Sequence, residues 1–117
     1  MKIAFVYSGQ GAQYFGMGQE LYEKYSVVRD VFDQASEFLD LDMAKLCFEE
    51  NDSLNQTTYT QPAILTVSLA IDALLEEKGI KPAVVAGLSL GEYSAFVKAN
   101  VLSFKEAVQL VKKRGQY

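Results

Sequence analysis

No histidine occurs anywhere in the chain, and cysteine occurs once, at Cys47. A lone thiol cannot close an internal disulfide, and without imidazole the usual donor set of a zinc site is missing as well. The same absence removes the base that most often activates a serine or cysteine nucleophile. Long apolar runs are also missing. The longest stretch, Ala63 to Leu75, is interrupted by Thr66, Ser68 and Asp72, and falls short of the about 20 residues that cross a bilayer. The amino terminus leads from Met1 straight into Lys2-Ile3-Ala4-Phe5-Val6, with no basic leader, long apolar core or small-residue cleavage site, which predicts a cytoplasmic protein. Positive charge is in deficit, 11 basic against 15 acidic residues for a net charge of -4. That balance argues against nucleic acid as a partner.

What remains is the composition of one small soluble globular domain, 50% hydrophobic and 22% charged over 117 residues. Lys2 to Ser8 is rich in β-branched and aromatic side chains and ends at Gly9-Gln10-Gly11, a buried strand followed by a tight loop. From Met17 to Phe38 apolar residues recur at three- and four-residue steps, which predicts helix, with a break near Tyr25-Ser26. A short helix is expected around Met43 to Phe48. Thr60-Gln61-Pro62 reads as the start of a helix that runs to Lys78, with Thr60 capping and Pro62 in the first turn. Ala83 to Gly87 has the continuous apolar character of a parallel strand buried on both faces. Glu92 to Ala99 reads as a helix, and Ser103 with Glu106 as the capping box of a last one. Strand, helix and strand in this order give an α/β fold. Two strands make an incomplete sheet, which suggests a truncated one.

Gly87-Leu88-Ser89-Leu90-Gly91 fits the G-x-S-x-G nucleophile elbow, lying between a buried strand and a helix as that motif requires. Glycines on both sides allow a sharp turn that lifts the serine hydroxyl, and the following helix aims free amides and its positive dipole end at it. An oxyanion forming there is stabilised. The plain alternative is a strand-to-helix turn whose serine only caps the helix. A second oxyanion donor must come from another loop of the sheet, and Gly9-Gln10-Gly11-Ala12-Gln13 is placed to provide it. Its alternative reading is an ordinary glycine-rich turn. In the last helix Phe104, Ala107, Val108 and Val111 form the apolar stripe and Arg114 continues it. The guanidinium either pairs with an internal carboxylate such as Glu92, or serves as a favourable cation at the helix C-terminus, or clamps a substrate carboxylate, which its planar fork matches.

These residues resemble the malonyl-CoA:acyl carrier protein transacylases, a family that also occurs as acyltransferase domains of fatty acid and polyketide synthases. The resemblance rests on Gly9-Gln10-Gly11-Ala12-Gln13, Thr60-Gln61-Pro62-Ala63, Gly87-Leu88-Ser89-Leu90-Gly91-Glu92-Tyr93-Ser94-Ala95 and Arg114-Gly115, in the family's order across nearly the whole chain. It implies an α/β-hydrolase-like parallel sheet with flanking helices, truncated here. Residues 1–117 would be the amino-terminal part of the large α/β acyltransferase domain, without the ferredoxin-like subdomain and the remaining strands. It implies a ping-pong transfer in which Ser89 takes malonyl from coenzyme A and passes it to the phosphopantetheine thiol of acyl carrier protein. Gln10 and Leu90 would supply the oxyanion amides and Arg114 would hold the malonyl carboxylate. No metal and no bound cofactor are implied. Two departures stand out: Leu88 occupies a place where the family commonly has histidine, and the family's general-base histidine comes from a segment beyond Tyr117.

The chain by itself is therefore expected to be nearly inactive, since nothing in the spacing favours Lys98 or another lysine as a substitute base. Uncovered apolar faces predict self-association. The start at Met1 with the first strand suggests a discrete enzyme of fatty acid synthesis rather than a synthase domain. Two rival classes share parts of the pattern: an α/β-hydrolase-type esterase, which seldom needs a buried arginine, and a non-catalytic binding module, which would leave the intact elbow unexplained.

Overall fold

The computed structural model describes residues 3–82, 84–87, 91–100 and 102–114, apart from the side chains of Val84 and Glu92. The expected nucleophile Ser89 and oxyanion donor Leu90, and with them Leu88, lie outside the described residues. The chain opens with β1 (Ala4–Tyr7), followed by four helices, α1 (Gln19–Lys24), α2 (Ser26–Leu39), α3 (Met43–Phe48) and α4 (Thr57–Glu77). Then come β2 (Val84–Gly87), α5 (Gly91–Lys98) and α6 (Phe104–Arg114).

Several local signals act as the sequence suggests. Tyr25 is the single extended residue between α1 and α2, at φ -124° and ψ 125°. The carboxylate of Asp42 caps α3 by accepting from the Lys45 amide at 3.0 Å. At the head of α6 the capping box closes in both directions: the Glu106 amide donates to Ser103 Oγ at 3.1 Å, and the Ser103 amide to Glu106 Oε1 at 3.2 Å.

One boundary differs. The central helix begins at Thr57, with Gln56 at its cap, and not at Thr60. Thr60 is fully buried, and its hydroxyl donates to the carbonyls of Leu54 and Gln56. Those bonds tie the preceding loop to the helix, so the threonine fixes the start of α4 from inside it. Pro62 therefore lies inside α4, past its first turn, where its missing amide forgoes a bond to the Thr58 carbonyl.

β1 and β2 pair in parallel, with Ala4 opposite Val84 and Tyr7 opposite Gly87. The helical core lies between α2, α4 and α6, where Phe32, Leu65, Val28, Val108 and Val111 are all but fully enclosed. Each such side chain contributes roughly 1.5–3 kcal/mol over an exposed one. Tyr22, Phe32 and Phe48 add a three-ring cluster with centroids 5.2–5.3 Å apart. α5 packs on the sheet. The opposite face is uncovered among the described residues: Val6 is 79% exposed and Ala86 is exposed too. The expectation that Ala83 to Gly87 forms a strand buried on both faces is therefore not met: Ala86 is exposed, and Val85 and Gly87 are half-buried. Parallel sheets are normally covered on both, and this one lacks its second layer.

Candidate functional site

The end of β1 and the start of α5 meet through their backbones. A Cβ placed on Gly91 would fall inside van der Waals contact with the Tyr7 carbonyl oxygen, 3.0 Å from the Tyr7 carbonyl carbon and 3.3 Å from the Ser8 carbonyl oxygen. Gly87, at the end of β2, is the register partner of the same Tyr7. Both described flanks of Ser89 thus lie against the residue where the first loop departs. Ser89 and Leu90 themselves lie outside the described residues.

Gln10 follows within that loop. Its Nε2 donates to Thr57 Oγ1 at 3.3 Å, and its Oε1 accepts from Gln61 Nε2 at 3.5 Å. Further along, the Gly11 amide donates to Gln13 Oε1 at 2.8 Å and Gln13 Nε2 to Asn55 Oδ1 at 3.1 Å. The loop is therefore docked on the head of α4 by side-chain amides. Gln61 carries no assigned role in the sequence reading; the signal that could have found it is a primary amide inside the buried run Thr60 to Thr66.

Arg114 lies in the last turn of α6, half-buried. It follows Ala107, Val108 and Val111, which are fully enclosed, so it does continue the inward stripe. Its guanidinium carbon stands 5.4 Å from the centroid of the Tyr93 ring, a cation over an aromatic face. Tyr93 belongs to α5, so the arginine packs on the helix that follows the elbow. The alternative ion pair with Glu92 involves a side chain outside the described set.

Other nucleophiles and bases are accounted for elsewhere. Cys47 is buried, with Sγ 3.8 Å from Met43 Sδ, and burial pushes its thiol up to about 12; a thiol so placed is inert at neutral pH. Lys98 occupies the last turn of α5, about 10 Å along the helix from Gly91 by helical rise. Its Nζ is held 3.4 Å from Asp72 Oδ1 and 3.6 Å from Glu76 Oε2, which keeps it engaged away from the loop. Tyr7 and Asp72 lie beside each other; burial first, then the neighbouring Asp72 charge, raises the phenol. Among the described residues no group of three or more Cys, Asp or Glu side chains is arranged to hold a metal. No described helix is long and apolar enough to cross a membrane.

Alongside the first loop runs an open groove of about 820 Å³, lined by Ser8, Ala12, Tyr14, Met17, Ile64 and Ile71 among others. Beside it, between β1 and α4, Phe5, Val6, Ile71 and Leu75 line a second hollow.

Known proteins share this arrangement. A malonyl CoA-acyl carrier protein transacylase of Bacillus subtilis (strain 168) is 49% identical over 117 residues, which are 99% of this chain and 37% of the relative. The crystal structure of MCAT from Streptococcus pneumoniae superposes with a TM-score of 0.96 at 56% identity, over 99% of this chain and 38% of that one. A type II PKS acyl-carrier protein in complex with its malonyl-transacylase matches with a TM-score of 0.94 at 43% identity, over 99% and 38%. The chain thus spans under two fifths of the length of these relatives, in keeping with a sheet that lacks a layer. The family model described as acyl transferase domain matches residues 4–117. With the elbow's described flanks, the docked first loop and the inward arginine on the matched stretch, the chain belongs to the acyl transferase domain family.

Proposed function

We propose that residues 1–117 form the amino-terminal part of the large α/β domain of a malonyl-CoA:acyl carrier protein S-malonyltransferase serving fatty acid synthesis in the cytoplasm. Ser89 is the nucleophile. Its oxygen attacks the thioester carbonyl of malonyl-CoA, the carbon–sulfur bond breaks, and coenzyme A leaves as the thiol with the serine's proton. The resulting malonyl ester is then attacked by the phosphopantetheine thiol of acyl carrier protein, which restores the serine. The amides of Gln10 and Leu90 bind the oxyanion at each addition, and Arg114 binds the free carboxylate of the acyl group. The observation that supports this reading most is the meeting of Gly91 with the Tyr7 and Ser8 carbonyls, because it brings the first loop to the flank of Ser89.

A serine needs a base to take its proton, and the chain holds no histidine. Residues 1–117 alone are therefore expected to show negligible transfer. The test joins them to the rest of a relative, in a chimera in which they replace the matching stretch of the Bacillus subtilis protein. Intact-mass analysis after incubation with malonyl-CoA should find one malonyl group on the chimera, none on its Ser89→Ala variant and none on residues 1–117 alone. Stoichiometric acylation of residues 1–117 would refute the view that the base lies outside them. A chimera that hydrolyses short neutral esters but ignores malonyl-CoA would favour an esterase.

The uncovered face of the sheet and the groove beside it place Val6, Tyr14 and Ile71 in water. β1 carries no charged residue to guard its free edge. Residues 1–117 are accordingly expected to self-associate at micromolar concentration. Light scattering coupled to size exclusion measures this, and a monodisperse monomer would contradict it.

A further inference from the structure

Gln61 is 5% exposed and lies among buried Thr60, Pro62, Ala63 and Leu65 on α4. Its amide is poorly rewarded there. The Oε1 atom is buried without a hydrogen-bond partner, and Nε2 makes one long bond, 3.5 Å, to Gln10 Oε1. Buried polar groups are normally satisfied, and a leucine of similar volume would fill the site without leaving an acceptor unpaired. An amide kept against stability points to a task other than packing. The contact it makes suggests the task, since its one bond goes to Gln10, the loop residue proposed above as an oxyanion donor.

We propose that Gln61 is a positioning residue for acyl transfer. With Thr57 it grips the two ends of the Gln10 carboxamide. That grip sets the peptide plane of the loop and directs the Gln10 main-chain amide at the oxyanion. The inference rests on the reading that this amide is an oxyanion donor. Oxyanion donors act through placement, and a displacement of about 1 Å lowers rate by about 100-fold.

Gln61→Leu tests it with two measurements. The first is amide hydrogen exchange, read in both residues 1–117 and the chimera. Exchange at residues 10–13 should accelerate by about tenfold or more, while α4 amides stay protected and the melting temperature stays level or rises. The second is steady-state kinetics of the chimera: kcat should fall by about 100-fold with the KM for malonyl-CoA nearly unchanged. A merely structural role would lower the melting temperature and leave that split absent. Unchanged exchange at residues 10–13, or faster exchange with kcat intact, would overturn the proposal. If the chimera with Gln61 in place fails to acquire malonyl, the functional reading fails instead, and the exchange measurement alone decides whether Gln61 holds the loop. Gln61→Met, which keeps length and flexibility without the amide, should behave like Gln61→Leu.

Discussion

Gly91→Ala is expected to destabilise the chain by about 3 kcal/mol or more, a large part of the roughly 5–15 kcal/mol that keeps a small domain folded. Helix propensity alone predicts the opposite, a gain of up to about 1 kcal/mol for alanine over glycine inside a helix. The decisive fact is what the added methyl meets. Tyr7 O, Tyr7 C and Ser8 O are all backbone atoms, so no rotamer change makes room, and relief requires β1 and α5 to separate. That separation breaks the packing of α5 on the sheet and pulls the first loop away from the elbow. Urea titration followed by circular dichroism measures the effect. A Gly91→Ala midpoint equal to that of the parent would show that the two backbones do not meet as described. The last glycine of the G-x-S-x-G pattern is therefore required by a neighbouring strand, independently of what the serine does.

The second large effect concerns the other end of the same helix. Lys98→Met should cost about 3 kcal/mol at neutral pH, the lower end of the range for removing one partner of a buried ion pair. Asp72 is 7% exposed. Burial raises its carboxyl above the ordinary range, Lys98 opposes that rise, and Glu76 adds to it. Without Lys98 the opposing influence is lost, and Asp72 is left charged, enclosed and close to a second carboxylate. The sign with pH follows. A carboxyl whose folded-state pKa lies above its unfolded value contributes stability below the unfolded value, near pH 4, and loses it as pH rises through the folded value. The Lys98→Met deficit should accordingly be small at about pH 4 and full at neutrality. The double variant Asp72→Leu/Lys98→Met should recover most of the loss, because it removes the stranded charge along with its partner. Thermal melts of the single and double variants at the two pH values decide the matter. A deficit that does not vary with pH, or a double variant no better than the single, would contradict this account.

The parts of the fold that were legible are those governed by neighbours in sequence. The break at Tyr25, the short α3, the two strands and the Ser103–Glu106 box depend on periodicity, caps and apolar runs within a few residues, and each was readable. Thr60 misled because a threonine before a proline resembles a cap. Its actual partners, the carbonyls of Leu54 and Gln56, become visible only once the loop before α4 folds back. The Asp72–Lys98 pair was illegible for a similar reason, since it joins α4 to α5 across the fold. Asp72 showed only as an interruption in an apolar stretch, and Lys98 only as a weak candidate base. Of the site, the inward course of Arg114 followed from helical spacing, but the Tyr93 ring beneath it did not. Gln10 was recognised for its backbone, whereas the side-chain bonds that hold it, to Thr57 and Gln61, needed α4 in place.

The first loop and α5 are secured by different kinds of force. Among the described residues, every side chain that docks residues 10–13 by a hydrogen bond is a neutral amide or hydroxyl, from Gln10, Gln13, Asn55, Thr57 and Gln61. The far end of α5 depends on full charges, Lys98 against Asp72 and Glu76. Lys98 and Asp72 are both largely enclosed, so added salt screens their attraction little, whereas pH sets the charge on Asp72 and leaves the neutral contacts of the loop as they are. The two anchorages therefore respond differently to pH: the hold on the first loop is indifferent to it, while the attraction behind α5 changes with the charge on Asp72.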